Sequence, residues 1–259
     1  MRKSKVSDLI ESFYDDLAPC YHLIFADWNR SIAWQASILA PILERATGKT
    51  SPHVLDCACG IGTQALGLAQ RGHRVAASDV SQASVERARK EAHLRQLDIR
   101  FYVADMTGLG PIGESNFDAV LAADNALPHL LSDDELHRAL TAIAAKLTDN
   151  GVLLATLRDY DSLIVSRPAM QPPAFHPHEA GYRIVHQVWH WEGNGYTLHH
   201  YLTIPTAHGW TVRHFVSCYR ALLRAELNEA LLASGFADIH WLDPAETSFY
   251  QPIVLARKR

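Results

Sequence analysis

The feature that most constrains the fold is an alternation of short apolar runs and helical stretches between residues 53 and 157. His53–Cys57 is an apolar run entering a glycine loop, residues 63–71 are helical, and Arg74–Ser78 is a second run. Ser81 is placed to cap a long helix to Leu97, with Val85, Ala88 and Ala92 carrying its period. Ile99–Val103 and Phe117–Ala122 are further runs. Ser132 caps a helix to Leu147 that Asn150-Gly151 closes, and Val152–Leu157 is the fifth strand. Strands alternating with helices build βαβ units, which bury a parallel sheet under helices on both faces.

The flanks read differently. Over residues 6–47, Val6, Leu9, Ile10, Phe13 and Leu17 recur at helical spacing, as do Ile32, Ala36, Leu39, Ile42 and Leu43. An aromatic-rich break at 18–28 separates them, and the second helix is expected to open near Asn29 or Ser31 and stop at Gly48. Residues 182–191, 196–204 and 209–219 are β-rich, joined by the turn signals Glu192-Gly193-Asn194-Gly195 and Pro205-Thr206-Ala207-His208. That is an antiparallel meander inserted into the α/β frame. A helix over 221–234 and strands near 237–242 and 248–256 close the chain. A single domain is therefore expected, with a helical lid at 1–48, a ligand-binding core at 49–157, a substrate-cover insertion at 158–219 and a sheet-completing segment at 220–259.

Composition narrows the function classes. With 48% hydrophobic residues and a net charge of −4 in 259 residues, the chain has ample core material and is not of disordered type. The slight acidity argues against a nucleic-acid partner, which calls for clustered Lys and Arg. No run of apolar residues is long enough to span a membrane, and the basic start is followed by Glu11, Asp15 and Asp16 rather than by an apolar stretch. Four cysteines are too few for a disulfide scaffold, so reduced thiols and a cytoplasmic location are expected.

The most specific segment is Val54-Leu55-Asp56-Cys57-Ala58-Cys59-Gly60-Ile61-Gly62-Thr63. A strand feeding a glycine turn and then a helix lets backbone N–H groups approach a ligand closely. The third glycine of the dinucleotide fingerprint, which serves helix packing, is replaced by Ala65. Asp56 is unfavourable beside a pyrophosphate and suits a ligand with a cationic amino-acid end. Asp79, closing the second strand, is placed to accept from ribose hydroxyls. Asp105 and Met106, closing the third, are placed to face an adenine amino group and pack on its ring. Acids at the carboxyl ends of three successive strands define a crevice for a nucleoside with a positively charged tail.

On these residues the sequence resembles the class I S-adenosylmethionine-dependent methyltransferases, over about residues 50–157. The resemblance implies a Rossmann-like, seven-stranded, mostly parallel sheet with S-adenosylmethionine as cofactor. It sets Asp56, Gly60 and Gly62 around the methionine and ribose, Asp79 on the ribose, and Asp105-Met106 on adenine, with Ala58, Val80 and Ala123 beside them.

Two further motifs narrow the group. Asp124-Asn125-Ala126-Leu127-Pro128-His129-Leu130 and Arg158-Asp159-Tyr160-Asp161 look like the G-N-S-F-A-H-L and R-N-Y-D of glycine N-methyltransferase and its bacterial glycine/sarcosine relatives. The resemblance implies that Asn125 and Arg158 lie at an amino-acid substrate, Arg158 pairing its carboxylate, and that His129 lies near the cofactor carboxylate, with Tyr160 matching the second motif. Independently, an Arg just past a strand end is suited to grip a carboxylate in a bidentate fork, or to pair internally with Asp159 or Asp161. Tyr14-Asp15-Asp16-Leu17 resembles the group's Y-A-D-G, and Tyr21-His22-Leu23 its W-Q-L, where aromatics close over the cofactor; Trp28 is the alternative to Tyr21. Asp124 departs from the pattern by replacing a glycine, and a carboxylate there favours a cationic or polyhydroxylated acceptor.

The expected function is therefore methyl transfer to a small molecule, most plausibly an amino-acid or similar nitrogen. An O-methyltransferase, with Tyr14 or His22 as base, and a non-catalytic cofactor binder are the alternatives. A homo-oligomer is compatible with the sequence. His186, His190, His199 and His200 lie on adjacent β-runs without the spacing of a metal site, so no metal is expected and a histidine face over the substrate pocket is the preferred reading.

Overall fold

Parallel pairing organises the first half of the chain. In the computed structural model, which describes residues 5–259, β1 (His53–Asp56) lies between β2 (Arg74–Asp79) and β4 (Phe117–Ala122). Strand β3 (Ile99–Val103) extends the sheet beyond β2, and β5 (Leu147–Thr156) extends it beyond β4, all in parallel. Strand β11 (Ile253–Lys258) pairs antiparallel with β5, and β10 (Phe236–Leu242) closes that edge. The seven strands run β10-β11-β5-β4-β1-β2-β3. The basic tip at residues 1–4 and the side chain of Val6 lie outside the described residues.

Side chains alternate across this sheet as the pleat requires. Ala119 and Leu121 of β4 meet Leu39 and Leu43 of α2 (Trp28–Thr47) and Leu68 of α3 (Thr63–Gln70). Val120 and Ala122 face the other way, towards Leu140 and Ile143 of α5 (Asp133–Lys146) and Leu227 and Leu231 of α7 (Arg224–Ala233). Helix α2 is thus a sheet-covering helix and not part of a lid. It opens earlier than the periodicity suggests because Asp27 caps it, accepting from the Arg30 N–H at 3.1 Å. Helix α4 (Gln82–Leu94) has Ser81 as its cap, as expected, with Ser81 Oγ accepting from the Ser84 N–H at 3.0 Å.

Close helix packing is served by a residue outside the glycine fingerprint. Where α3 crosses α2, a Cβ on Gly67 would sit 2.7 Å from the Ile32 carbonyl oxygen and 2.8 Å from Ala36 Cβ. Ala65, at the fingerprint position, is fully buried without needing that approach.

Two boundaries differ from the sequence reading. Strand β5 begins at Leu147, directly after α5, and a register shift against β4 absorbs the excess chain, with Asn150 left-handed at φ 64°. The last strand begins at Ile253 rather than 248, because Pro244–Thr247 forms a short helix, α8, that ends at Ser248 with φ 62°.

The insertion holds more than the three expected strands. It starts with α6 (Tyr160–Ser166) and continues through β6 (Met170–His178), β7 (Gly181–Glu192), β8 (Gly195–Thr206) and β9 (Gly209–Arg220), an antiparallel sheet in that order. Strand β6 was hidden by Pro172 and Pro173, which are tolerated because it is an edge strand with a register shift there. Helix α1 (Lys5–Leu17) packs Phe13 and Leu17 against Val185, Leu202 and Phe215 of this sheet. No helix of the described residues is long and apolar enough to cross a membrane.

The Gly67 contact is testable. Overpacking costs ~1–3 kcal/mol, and the better helix propensity of alanine returns about 1 kcal/mol. Gly67→Ala is expected to lower the midpoint of thermal unfolding by ~2–4 °C, followed by circular dichroism. A raised midpoint refutes the close crossing.

Candidate active site

The parallel strands end at a cavity of about 390 Å³, walled by the loops after β1, β2, β3 and β4 and roofed by α1 and the 3-10 turn Tyr21–Ile24. Its floor is the glycine loop. Gly60 has φ 51°, and a Cβ there would lie 3.3 Å from Tyr21 Cε1, so the loop needs glycine both for its backbone and for the aromatic ring above it.

The expected nucleoside residues converge here. Asp79, Val80, Asp105 and Met106 line the cavity, with Ala58, Gly60 and Ala123. Asp79 is buried and doubly engaged: Oδ2 accepts from the Gly60 N–H at 2.8 Å and Oδ1 from the Ser81 N–H at 2.9 Å. Burial pushes its carboxyl up to about 6, against those two hydrogen bonds. Tyr14 and Tyr21 line the roof, so Tyr21, not Trp28, covers the loop. The indole of Trp28 turns inward and donates to Thr63 Oγ1 at 2.9 Å.

Asp56 and Gly62 do not line the cavity. Asp56 is fully buried beneath the loop, accepting from the Ala58 N–H at 3.4 Å, while Oδ2 has no partner. Burial pushes its carboxyl up to about 7. Cys57 and Cys59 do line it, and burial raises both thiols well above their ordinary range, so they act as small packing residues. Sequence reasoning missed Thr63, Gln64, Thr107, Glu135 and Arg138, which also line the wall.

The roof is latched to the floor. Asp15 of α1 accepts from Ser81 Oγ at 2.6 Å and from the Ala83 N–H at 3.1 Å, placing a carboxylate on the N-terminus of α4. Tyr14 Oη is 2.9 Å from His129 Nε2, and the His129 ring lies 4.1 Å from the Tyr219 ring. Burial lowers His129 to about 3, so it is neutral, and it lines the cavity as expected.

The four expected catalytic residues divide. Tyr14 faces the cavity, whereas the buried Asn125 and Tyr160 and the half-buried Arg158 form a cluster behind its wall, against the antiparallel sheet. Tyr160 Oη donates to Asn125 Oδ1 at 3.0 Å and lies 3.0 Å from Tyr196 Oη. The Arg158 guanidinium donates to Tyr196 Oη at 2.6 Å and Gln187 Oε1 at 3.2 Å, and lies 4.6 Å over the Trp189 ring. Among the described residues no carboxylate is within ion-pair distance of it. Asp159 instead caps α6 through Ser162, and Asp161 lies 3.7 Å from Arg224. Asn125 Nδ2 is buried without a partner. Tyr196, Gln187 and Trp189 carry no local motif; only their alternation along β7 and β8 marks them as one face.

Three comparisons bear on this site. Residues 54–151 match the family model described as a methyltransferase domain. A glycine/sarcosine N-methyltransferase of Parasynechococcus marenigrum is 29% identical over 145 residues, 56% of this chain and 50% of that protein. Among solved structures, an S-adenosylmethionine-dependent methyltransferase from Clostridium acetobutylicum superposes with a TM-score of 0.73 at 15% identity, covering 86% of this chain and 90% of that one. The fold is that of a class I methyltransferase. A sugar N-methyltransferase from Streptoalloteichus shares it, with a TM-score of 0.74 at 20% identity over 92% of both chains. The chain spans about half the length of the curated relatives it matches. The glycine loop and the acids after β2 and β3 lie at the carboxyl ends of the parallel strands, where open α/β sheets bind their ligands.

One expectation fails. His186, His190 and His199 do not cover the pocket; they lie with His214 on the outer face of the antiparallel sheet, where His199 Nδ1 is 2.9 Å from His214 Nε2 and Tyr201 stacks between His186 and His214. Only His200, the neighbour of opposite pleat, turns inward beside Gln187. No cluster of metal-ligating side chains occurs among the described residues.

Two predictions follow from this geometry. Asp15→Asn is expected to weaken S-adenosylhomocysteine binding about 5-fold, within the range of a helix-terminus charge, and to raise hydrogen exchange in α1; calorimetry and mass spectrometry read the two. His129 stays neutral when folded while the unfolded chain protonates near 6.5, so its stability contribution is complete above pH 6.5 and is lost as pH falls towards 3. His129→Gln is expected to flatten the fall in urea-unfolding free energy between pH 6.5 and 4.5 by up to ~1.4 kcal/mol per pH unit. An unchanged slope refutes the buried neutral imidazole.

Proposed function

We propose that this protein is an S-adenosylmethionine-dependent N-methyltransferase whose acceptor is a small carboxylate-bearing amine, such as an amino acid. The observation that carries the reading is the half-buried guanidinium of Arg158, which pairs with no acid among the described residues, behind the wall of a cavity equipped with acids for a nucleoside. A partly desolvated cation without a counter-charge is completed by an anionic ligand. The partnerless Nδ2 of Asn125, next to it, supplies a second donor of the same kind.

Asp79, Asp105 and Met106 would hold the nucleoside end, and the Tyr21 ring would close over the loop at Gly60. The bound cofactor supplies an electrophilic methyl group on a sulfonium, whose departure as a neutral thioether needs no acid. The protein's task is then alignment and exclusion of water. Arg158 anchors the acceptor's carboxylate, Asn125 orients it, and Tyr160 and Tyr196 hold both side chains in place. The glycine/sarcosine N-methyltransferase relative supports nitrogen as the acceptor atom.

Thermal unfolding with S-adenosylhomocysteine is the primary test: at a hundred times its dissociation constant it should add roughly 2.7 kcal/mol of stability, and NAD should add none. Labelled methyl transfer to glycine and sarcosine tests the acceptor. Arg158→Met should lower kcat/KM for such an acceptor about 100-fold, as expected for a lost charge-assisted pair, while leaving S-adenosylhomocysteine affinity intact. Absence of the thermal shift refutes the reading, binding without turnover favours a cofactor-binding protein, and indifference to Arg158→Met removes the carboxylate.

A further inference from the structure

Among the described residues, Asp124 is the only acid on the cavity wall that comes from the end of β4, between the nucleoside residues and the Arg158 cluster. Its backbone is left-handed at φ 59°, and that of Asn125 follows at φ 69°. Two consecutive side chains in that region need an external hold, and the C-terminal segment provides it. Thr156 Oγ1 accepts from the Asp124 N–H at 2.8 Å and donates to Gln251 Oε1 at 2.7 Å, while the Thr156 carbonyl accepts from the Asn125 N–H at 2.9 Å. The residue before Gln251 reaches the carboxylate itself: Tyr250 Oη donates to Asp124 Oδ1 at 2.7 Å. The Tyr250 ring is in turn stacked on Phe249 at 4.5 Å and on Trp34 at 5.7 Å, leaving it 46% exposed.

Neighbouring residues of one segment therefore fix both the backbone and one oxygen of Asp124. No cation among the described residues lies within ion-pair distance of it, and Arg158, the nearest in influence, is held by Tyr196 and Gln187. Asp124 faces the cavity, while the Arg158 guanidinium stays behind the wall and leaves the Asp124 carboxylate without an ion-pair partner. We infer that Asp124, oriented by Tyr250, is the specificity-determining residue that docks the ammonium group of the acceptor, which releases one proton to this carboxylate before its nitrogen lone pair attacks the methyl group. This rests on the N-methyltransferase reading above and names the group on the protein that selects a nitrogen acceptor over an oxygen one. A carboxylate rewards an ammonium with a charge-assisted hydrogen bond and offers a hydroxyl only a neutral one.

The test is calorimetric titration of the S-adenosylhomocysteine-loaded protein with three amine and hydroxyl pairs: glycine and glycolate, ethanolamine and ethylene glycol, glucosamine and glucose. In at least one pair the amine is expected to bind about 10-fold tighter, as for one charge-assisted bond. Asp124→Asn should erase that preference while leaving S-adenosylhomocysteine affinity within a factor of about two, and Tyr250→Phe should reduce it in part. If no amine is preferred, or if Asp124→Asn keeps the preference, the inference is overturned while the cofactor reading stands. Failure of S-adenosylhomocysteine to bind the unmodified protein overturns both.

Discussion

The carboxylate of Asp79 joins three parts of the molecule that the sequence keeps apart. One oxygen takes the N–H of Gly60 and so sets the glycine loop; the other takes the N–H of Ser81 and so sets the start of α4. Ser81 then passes the constraint on, capping α4 through Ser84 and donating to Asp15 of the roof helix. Floor, wall and roof of the cavity are thus referenced to one buried acid at the end of β2. Its carboxyl pays for that position in desolvation, which two backbone donors partly offset.

A second junction lies at the end of β4. Thr156, at the end of β5, holds the turn at Asp124-Asn125 in a backbone region that costs most residues about 1–2 kcal/mol and that Asp and Asn tolerate best. The two residues then diverge. The Asp124 side chain joins the cavity wall, while the Asn125 side chain joins Tyr160 and the Arg158 backbone in the interior. A single turn thereby sends one side chain to the cavity wall and the next into the interior, over the width of two residues.

The parallel core was legible because its signals are local: apolar runs bounded by glycine, caps at Ser81 and Ser132, and acids at strand ends. The residues that finish the site were not, because their meaning is set by pairing register. His199 and His200 are adjacent in sequence and identical in type, yet the pleat sends one to the outer face beside His214 and the other inward beside Gln187. Tyr250 and Gln251 are likewise silent in sequence; they matter only because β11 inserts next to β5 and brings the preceding loop against Thr156. Arg158 was marked by a motif, but the side chains that hold it, Tyr196 and Gln187, come from strands at sequence separations of 38 and 29. Gly67 serves a different contact from the fingerprint's third glycine: it admits the crossing of α2 over α3, which a strand–helix motif does not record.

Lid and cover are one body. Phe13 and Leu17 of α1 share a cluster with Val185, Leu202 and Phe215 of the antiparallel sheet. Arg183 of β7 ties down the segment after α1, donating from Nε to the Leu23 carbonyl at 2.7 Å and from a terminal nitrogen to that of Ala26 at 3.2 Å. Tyr14 reaches across to His129, whose ring rests on Tyr219 of β9. Opening the roof over the glycine loop therefore either breaks this apolar contact or moves the antiparallel sheet with it, so the two sides of the cavity are mechanically coupled.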